Sequence, residues 1–173
     1  MKHLMSWAVA ALTMVLAACG GSGNGKGNGD ASYITYTNSN FNYSVEVPDG
    51  LDKRETLTED NGTIYSADGP EGFTLNRIDI GAHESFFVEE YTPEKIKEDF
   101  DEEVEGLGEQ VSSKECGDNF YTITIKSDDL TEVRYNIFKG NKSLNVTICY
   151  DAAHEKQLGG EVAEHVFKSM KFN

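Results

Sequence analysis

The sequence predicts an α+β domain: a largely antiparallel sheet of about seven or eight strands with two helices packed on it. Three observations predict it. Apolar residues alternate with period two in most segments between Tyr33 and Tyr150. Short turns rich in Gly, Asn and Asp separate the later segments, so those strands must pair antiparallel with their neighbours. From Thr92, and again from Ala153, the apolar spacing changes to three and four, the period of a helix with one buried stripe.

Tyr33 to Thr37 is a short first strand. In the second, Phe41, Tyr43, Val45 and Val47 share one face while Asn42, Ser44 and Glu46 share the other, and Pro48-Asp49-Gly50 ends it. Lys53 to Thr58 and Thr63 to Ala67 flank Glu59-Asp60-Asn61-Gly62. Asn-Gly there signals a tight hairpin because both residues tolerate positive φ. After the loop Asp68 to Gly72, Phe73 to Ile80 reads as a strand, and Phe86-Phe87-Val88 as a strand or a buried turn. Thr92 then caps a helix, Pro93 suits its first turn and Glu94 favours the positive end of its dipole. Ile96, Phe100, Val104 and Leu107 form its apolar stripe, and Gly106 and Gly108 end it. Four strands follow at about Gln110–Cys116, Phe120–Lys126, Thr131–Phe138 and Ser143–Tyr150. The last helix runs near Ala153 to Met170, with Gly159-Gly160 a weak point near its start, and Phe172 docks as a final strand residue.

The stretches "FNYSVEVPDG", "NGTIYSADG" and "VFKSMKF" resemble the PsbP-like family. A strand ending in Pro opens that domain, and a helix running into Ser, an aromatic residue or Met, a basic residue and Phe closes it. The resemblance covers most of residues 33–173. It implies an antiparallel sheet flanked by helices and a binding or assembly role; it carries over no functional residue.

The N-terminus holds an address. Leu4 to Ala18 is fifteen uncharged residues after Lys2 and His3. A membrane-spanning helix needs roughly 20 apolar residues, so the run fits a secretion signal instead. Leu16-Ala17-Ala18-Cys19 resembles the lipobox of bacterial lipoproteins, in which the Cys thiol is acylated and becomes the new N-terminus. Residues 1–18 are therefore expected to be a lipoprotein signal peptide. Residues 19–31 are expected to be an acylated Cys19 and a flexible Gly/Asn/Ser linker, and 32–173 a single domain. The tract from Gly20 to Asp30 has a flexible-coil reach of roughly 18 Å. Its Gly20-to-Gly27 spacing imitates a phosphate-binding loop. Gly27 stands where that loop needs Ser or Thr, and no strand precedes it.

The whole chain carries a net charge of −15, which becomes −16 when the leader takes Lys2 with it. So acidic a protein repels nucleic-acid phosphates, and no nucleic-acid partner is expected. No cofactor is expected either. Cys116 and Cys149 are a possible disulfide in an oxidising compartment. A simple meander over 110–150 would hold them at opposite ends of separate strands, so two separate thiols are the other outcome.

Candidate chemistry is sparse. The acidic run through Glu94, Glu98, Asp99, Asp101, Glu102, Glu103 and Glu105 reads as a solvated helix face, because calcium needs an irregular loop with a glycine turn. His165 with Glu161 has the i, i+4 spacing of a weak metal pair, while His154 and His165 are too far apart along a helix to share one ion. Cys116 or Cys149 with His83 or His154 is a conceivable nucleophile pair. Tyr33, Tyr36, Phe86, Phe87 and Tyr91 are candidates to line a ligand groove, though such aromatics more often pack. The expectation is a protein of the bacterial cell envelope, held on a membrane by lipid. It is read as a non-enzymatic binding or assembly module, with another envelope protein as partner. The alternatives are a small-molecule or divalent-ion binder, or a Cys/His hydrolase.

Overall fold

Ten strands form two antiparallel sheets among residues 32–57, 61–67 and 76–173, the residues that the computed structural model describes. The leader, Cys19, the linker and the loop 68–75 lie outside them. β1 (Tyr33–Asn38) and β2 (Tyr43–Pro48) make a hairpin, and β10 (Lys171–Phe172) closes on the other edge of β2. The larger sheet has seven strands. Its order is β3 (Asp52–Thr56), β4 (Gly62–Ser66), β5 (Arg77–Glu84), β9 (Lys142–Tyr150), β8 (Thr131–Lys139), β7 (Phe120–Lys126) and β6 (Val111–Cys116). The α+β class and the antiparallel sheet are as expected, and so is the four-strand meander β6 to β9. Of the earlier strands, β3 to β5 join that meander through β5 and β9, from Arg77 opposite Cys149 to Glu84 opposite Lys142.

Alternation along each strand gives the large sheet two unlike faces. On one face Tyr65, Ile78, Ile80, Leu144, Val146, Ile148 and Tyr135 are buried with Tyr43, Val45 and Val47 of β2. The helix α3 (Gly160–Ser169) covers the rest of that face with Ala163 and Val166, and Phe167 stacks on Tyr135 at 4.7 Å. Each fully buried aliphatic side chain here contributes roughly 1.5–3 kcal/mol relative to exposure. α3 is fixed to β2 as well, since the Glu46 backbone N–H donates to Ser169 Oγ at 2.8 Å.

The opposite face carries α1 (Pro93–Leu107) over β7 and its neighbours. Thr92 Oγ1 accepts from the Lys95 backbone N–H at 3.3 Å, and Gly108, at φ 58°, ends the helix by donating to the Val104 carbonyl. Ile96 and Phe100 bury against Tyr121, Ile123 and Phe138; Val104 and Leu107 are only half-buried. Three of its carboxylates are tied to neighbouring lysines, Lys95 to Glu98 and Asp99, and Lys97 to Asp101.

Two boundaries differ from expectation. The strand read at Phe73–Ile80 is β5, Arg77–Glu84, with the start of the expected segment outside the described residues. The last helix is split: α2 (Glu155–Leu158) is one turn, and α3 begins after the extended Gly159. Gly160 there takes φ 49°, a left-handed value that glycine adopts at little cost.

Candidate functional site

α1 covers only part of its sheet face. The remainder, over β5, β9 and β8, is a polar groove of about 380 Å³ in the middle of the sheet. Its floor comes from residues that alternate with the core: Arg77 on β5, Asn145, Thr147 and Cys149 on β9, Glu132, Arg134 and Asn136 on β8. Asp79 lies on the same face of β5, beside Arg77 and opposite Thr147. Tyr121 and Glu103 form the wall toward α1.

These groups are wired to one another. Arg134 donates from Nη1 to Glu103 Oε1 at 2.7 Å and from Nε to Glu132 Oε1 at 2.5 Å. Tyr121 donates its hydroxyl to the other oxygen of Glu103 at 2.8 Å. Burial, and then Glu103 itself, push the Tyr121 phenol far up, so the donor keeps its proton. Arg77 Nε reaches both Asp79 oxygens at 2.9 and 3.0 Å, and the Asn145 amide donates to the Asn136 side-chain carbonyl. The strip presents fixed donors and acceptors of both signs on a stiff floor. That geometry suits non-covalent recognition of a polar surface.

Burial pushes the Asp79 carboxyl up, and Arg77 offsets only part of the rise. The native state therefore holds this proton at a pH where the unfolded chain has released it. Stability contributed here is lost as pH rises from the ordinary carboxylate range through the raised value. Asp79→Asn mimics the protonated form. The variant's stability relative to the parent is expected to improve across that interval and level off above it, read by urea titrations from about pH 4 to pH 7. A difference that stays flat with pH contradicts the assignment.

The predicted residues are dispersed. Cys116 and Cys149 are free thiols. They sit on β6 and β9, three ladder steps apart, at least about 14 Å at the usual strand spacing, and are offset along the strands as well, Cys116 standing level with Asn145; that is beyond the ~7 Å limit for a bridge. The bridged alternative therefore gives way to two separate thiols. Burial, then Glu132, pushes the Cys149 thiol up to about 12, and burial raises Cys116 as well, the reverse of what a nucleophile needs. His154 pairs with Asp151 at 2.9 Å. His165, the candidate partner of Glu161, instead meets Glu46 at 2.7 Å and stacks on Tyr33 at 3.7 Å. Among the described residues, no three His, Cys, Asp or Glu side chains converge as a metal site.

The five candidate aromatics do not line one groove. Tyr36 packs edge-on to Tyr43 and Tyr65, Tyr91 leans on Phe138, and Phe86 and Phe87 stand in solvent. The polar groove itself was missed in the sequence. Its signal was there in Arg77-x-Asp79 and Glu132-x-Arg134, opposite charges two apart on one strand face. The pairing of β5 with β9 that brings them together has no local mark.

No family model matches the chain, and no curated protein matches its sequence. Solved structures share the fold. Cyanobacterial PsbP (CyanoP) from Synechocystis sp. PCC 6803 superposes with a TM-score of 0.54 at 13% identity, over 87% of this chain and 98% of its own. The Ran-binding protein Mog1p of Saccharomyces cerevisiae gives a TM-score of 0.51 at 10% identity, over 83% and 96%. A protein from Bacteroides thetaiotaomicron VPI-5482 gives 0.52 at 12% identity, over 80% of this chain and 48% of its own. The fold is thus PsbP-like, as the resemblance implied.

Proposed function

We propose that this protein is a bacterial cell-envelope lipoprotein. Cys19 carries the acyl chains, the Gly/Asn/Ser tract is a leash, and the domain is a non-enzymatic module that binds another envelope protein. The observation that carries the binding role is the polar groove. Charges and amides are placed on central strands, where an unused face needs no such wiring. The raised Cys116 and Cys149 thiols, and the carboxylates that engage His154 and His165, support binding over hydrolysis. Likeness in fold to a Ran-binding protein agrees with that role. The leader and lipobox supply the location.

Amine-reactive crosslinking of intact cells, with the tagged full chain then purified under denaturing conditions, tests the reading. The expected result is a discrete adduct with one envelope protein that Arg134→Gln weakens. A ladder without a discrete adduct contradicts it. A volume of about 380 Å³ lies in the range of small-ligand pockets, roughly 300–1,000 Å³, which favours a polar small molecule as the second reading.

A further inference from the structure

Phe86 and Phe87 are adjacent, and 92% and 98% of their surfaces are in water. Scattered apolar residues on a surface need no explanation, but two bulky rings on one rigid protrusion do. The segment is pinned at both ends to the β8–β9 turn. The Ser85 backbone N–H donates to the Asn141 carbonyl at 2.9 Å, and that of Tyr91 to the Gly140 carbonyl at 2.7 Å. Asn141 Nδ2 returns a bond to the Ser85 carbonyl at 3.1 Å. Between the pins, buried Ser85 accepts from the backbone N–H groups of Phe87 and Val88, both at 3.2 Å, which sets the turn that lifts the rings out. The rings are thus held out by a built turn, and docking them costs little ordering.

Two observations choose the occupant. First, Glu89 and Glu90 follow the rings and are exposed, and Lys142 of the pinning turn is taken up by Glu84 at 3.6 Å. Lys139 is exposed beside the pinning Gly140, so Glu84, Glu89 and Glu90 outnumber Lys139 and Lys142 and the rim is acidic in balance, on a chain of net charge −15; an anionic bilayer or a second copy meets net like charge. Second, the leash joins at Ser32, beside the Tyr33–Pro48 end of the β1–β2 hairpin. The turn that pins the knuckle lies at the other end, where Phe41, Asn42, Lys139 and Gly140 line one cavity. The six residues of β1 separate the two ends by about 20 Å. The rings lie toward the end of the domain opposite Ser32.

We propose that Phe86 and Phe87 are the anchor by which the domain docks into an apolar cleft, rimmed by Lys or Arg, on a partner protein. The proposal rests on the binding reading above and names the chemistry of its partner.

A photocrosslinking phenylalanine analogue at position 87 of the full chain, in intact cells, tests it. The expected result is one protein adduct whose crosslinked peptide, mapped by mass spectrometry, is apolar with basic residues beside it. Phe86→Ser should cut the yield about tenfold, as loss of an interface hot spot does, and Glu89→Lys with Glu90→Lys severalfold. The melting temperature should not move, because the rings touch so little of the domain. Adducts with lipid or a second copy, an acidic-flanked peptide, a yield indifferent to these variants, or no adduct overturns the proposal. If the amine-crosslinked partner is still recovered, only the knuckle assignment fails; if both adducts are missing, the binding reading falls with it.

Discussion

Cys19→Ser is expected to move the whole protein from the membrane fraction to the soluble fraction. Each buried CH₂ of an acyl chain contributes about 0.8 kcal/mol, so two or more chains hold a protein stably on a bilayer. Among the described residues, no helix is long and apolar enough to cross a membrane. The chain's net charge of −15, which would be −16 with Lys2 removed in the proposed leader, adds repulsion from anionic headgroups. Fractionation with a high-salt wash and immunoblotting checks it. A serine variant that stays with the membrane through the wash shows that something other than the thiol holds it.

Gly62→Ala is expected to unfold the domain. A Cβ at Gly62 would lie 1.9 Å from the Ile80 carbonyl oxygen and 2.8 Å from Gly81 Cα. Both are backbone atoms of β5, a strand held on its two sides by β4 and β9, so relief means breaking the ladder. The neighbouring Asn61 carbonyl also accepts from the Tyr43 hydroxyl at 2.8 Å and from the Ala82 backbone N–H at 3.1 Å. Separating these strands costs more than about 4 kcal/mol, a large part of the 5–15 kcal/mol available to a domain. Gly106→Ala is the control. It sits in α1 with nothing within 4 Å of the added carbon, and should stabilise by about 0.5–1 kcal/mol. Urea melts of both variants decide. A Gly62→Ala protein as stable as the parent contradicts the packing.

Gly62 also marks how far the sequence could be read. Asn61-Gly62 does signal the β3–β4 hairpin, with Thr56 opposite Thr63. Gly62, however, is the first residue of β4, and glycine is needed there for the close approach of β5; positive φ is found at Gly50, Gly108, Gly140 and Gly160. Local chemistry was legible wherever it was sufficient. Thr92, Pro93 and the stripe Ile96–Phe100 fix α1, and short turns fix the meander from β6 to β9. What depends on distant pairing was not legible. Nothing near Arg77 says that Cys149 lies opposite, so neither the merging of the two strand blocks nor the groove between them could be read. The break at Gly159 was visible as a weak point, while its outcome, a one-turn α2 before α3, depends on how Leu158 and Val166 both reach the core.

The most direct measurement is the intact mass of the protein purified from native membranes. A lipid-anchored module begins at Cys19, and its mass exceeds that of residues 19–173 by the acyl chains on that cysteine. An unmodified Cys19, or the complete 173-residue chain recovered from the soluble fraction, contradicts the anchor and removes the envelope partner with it.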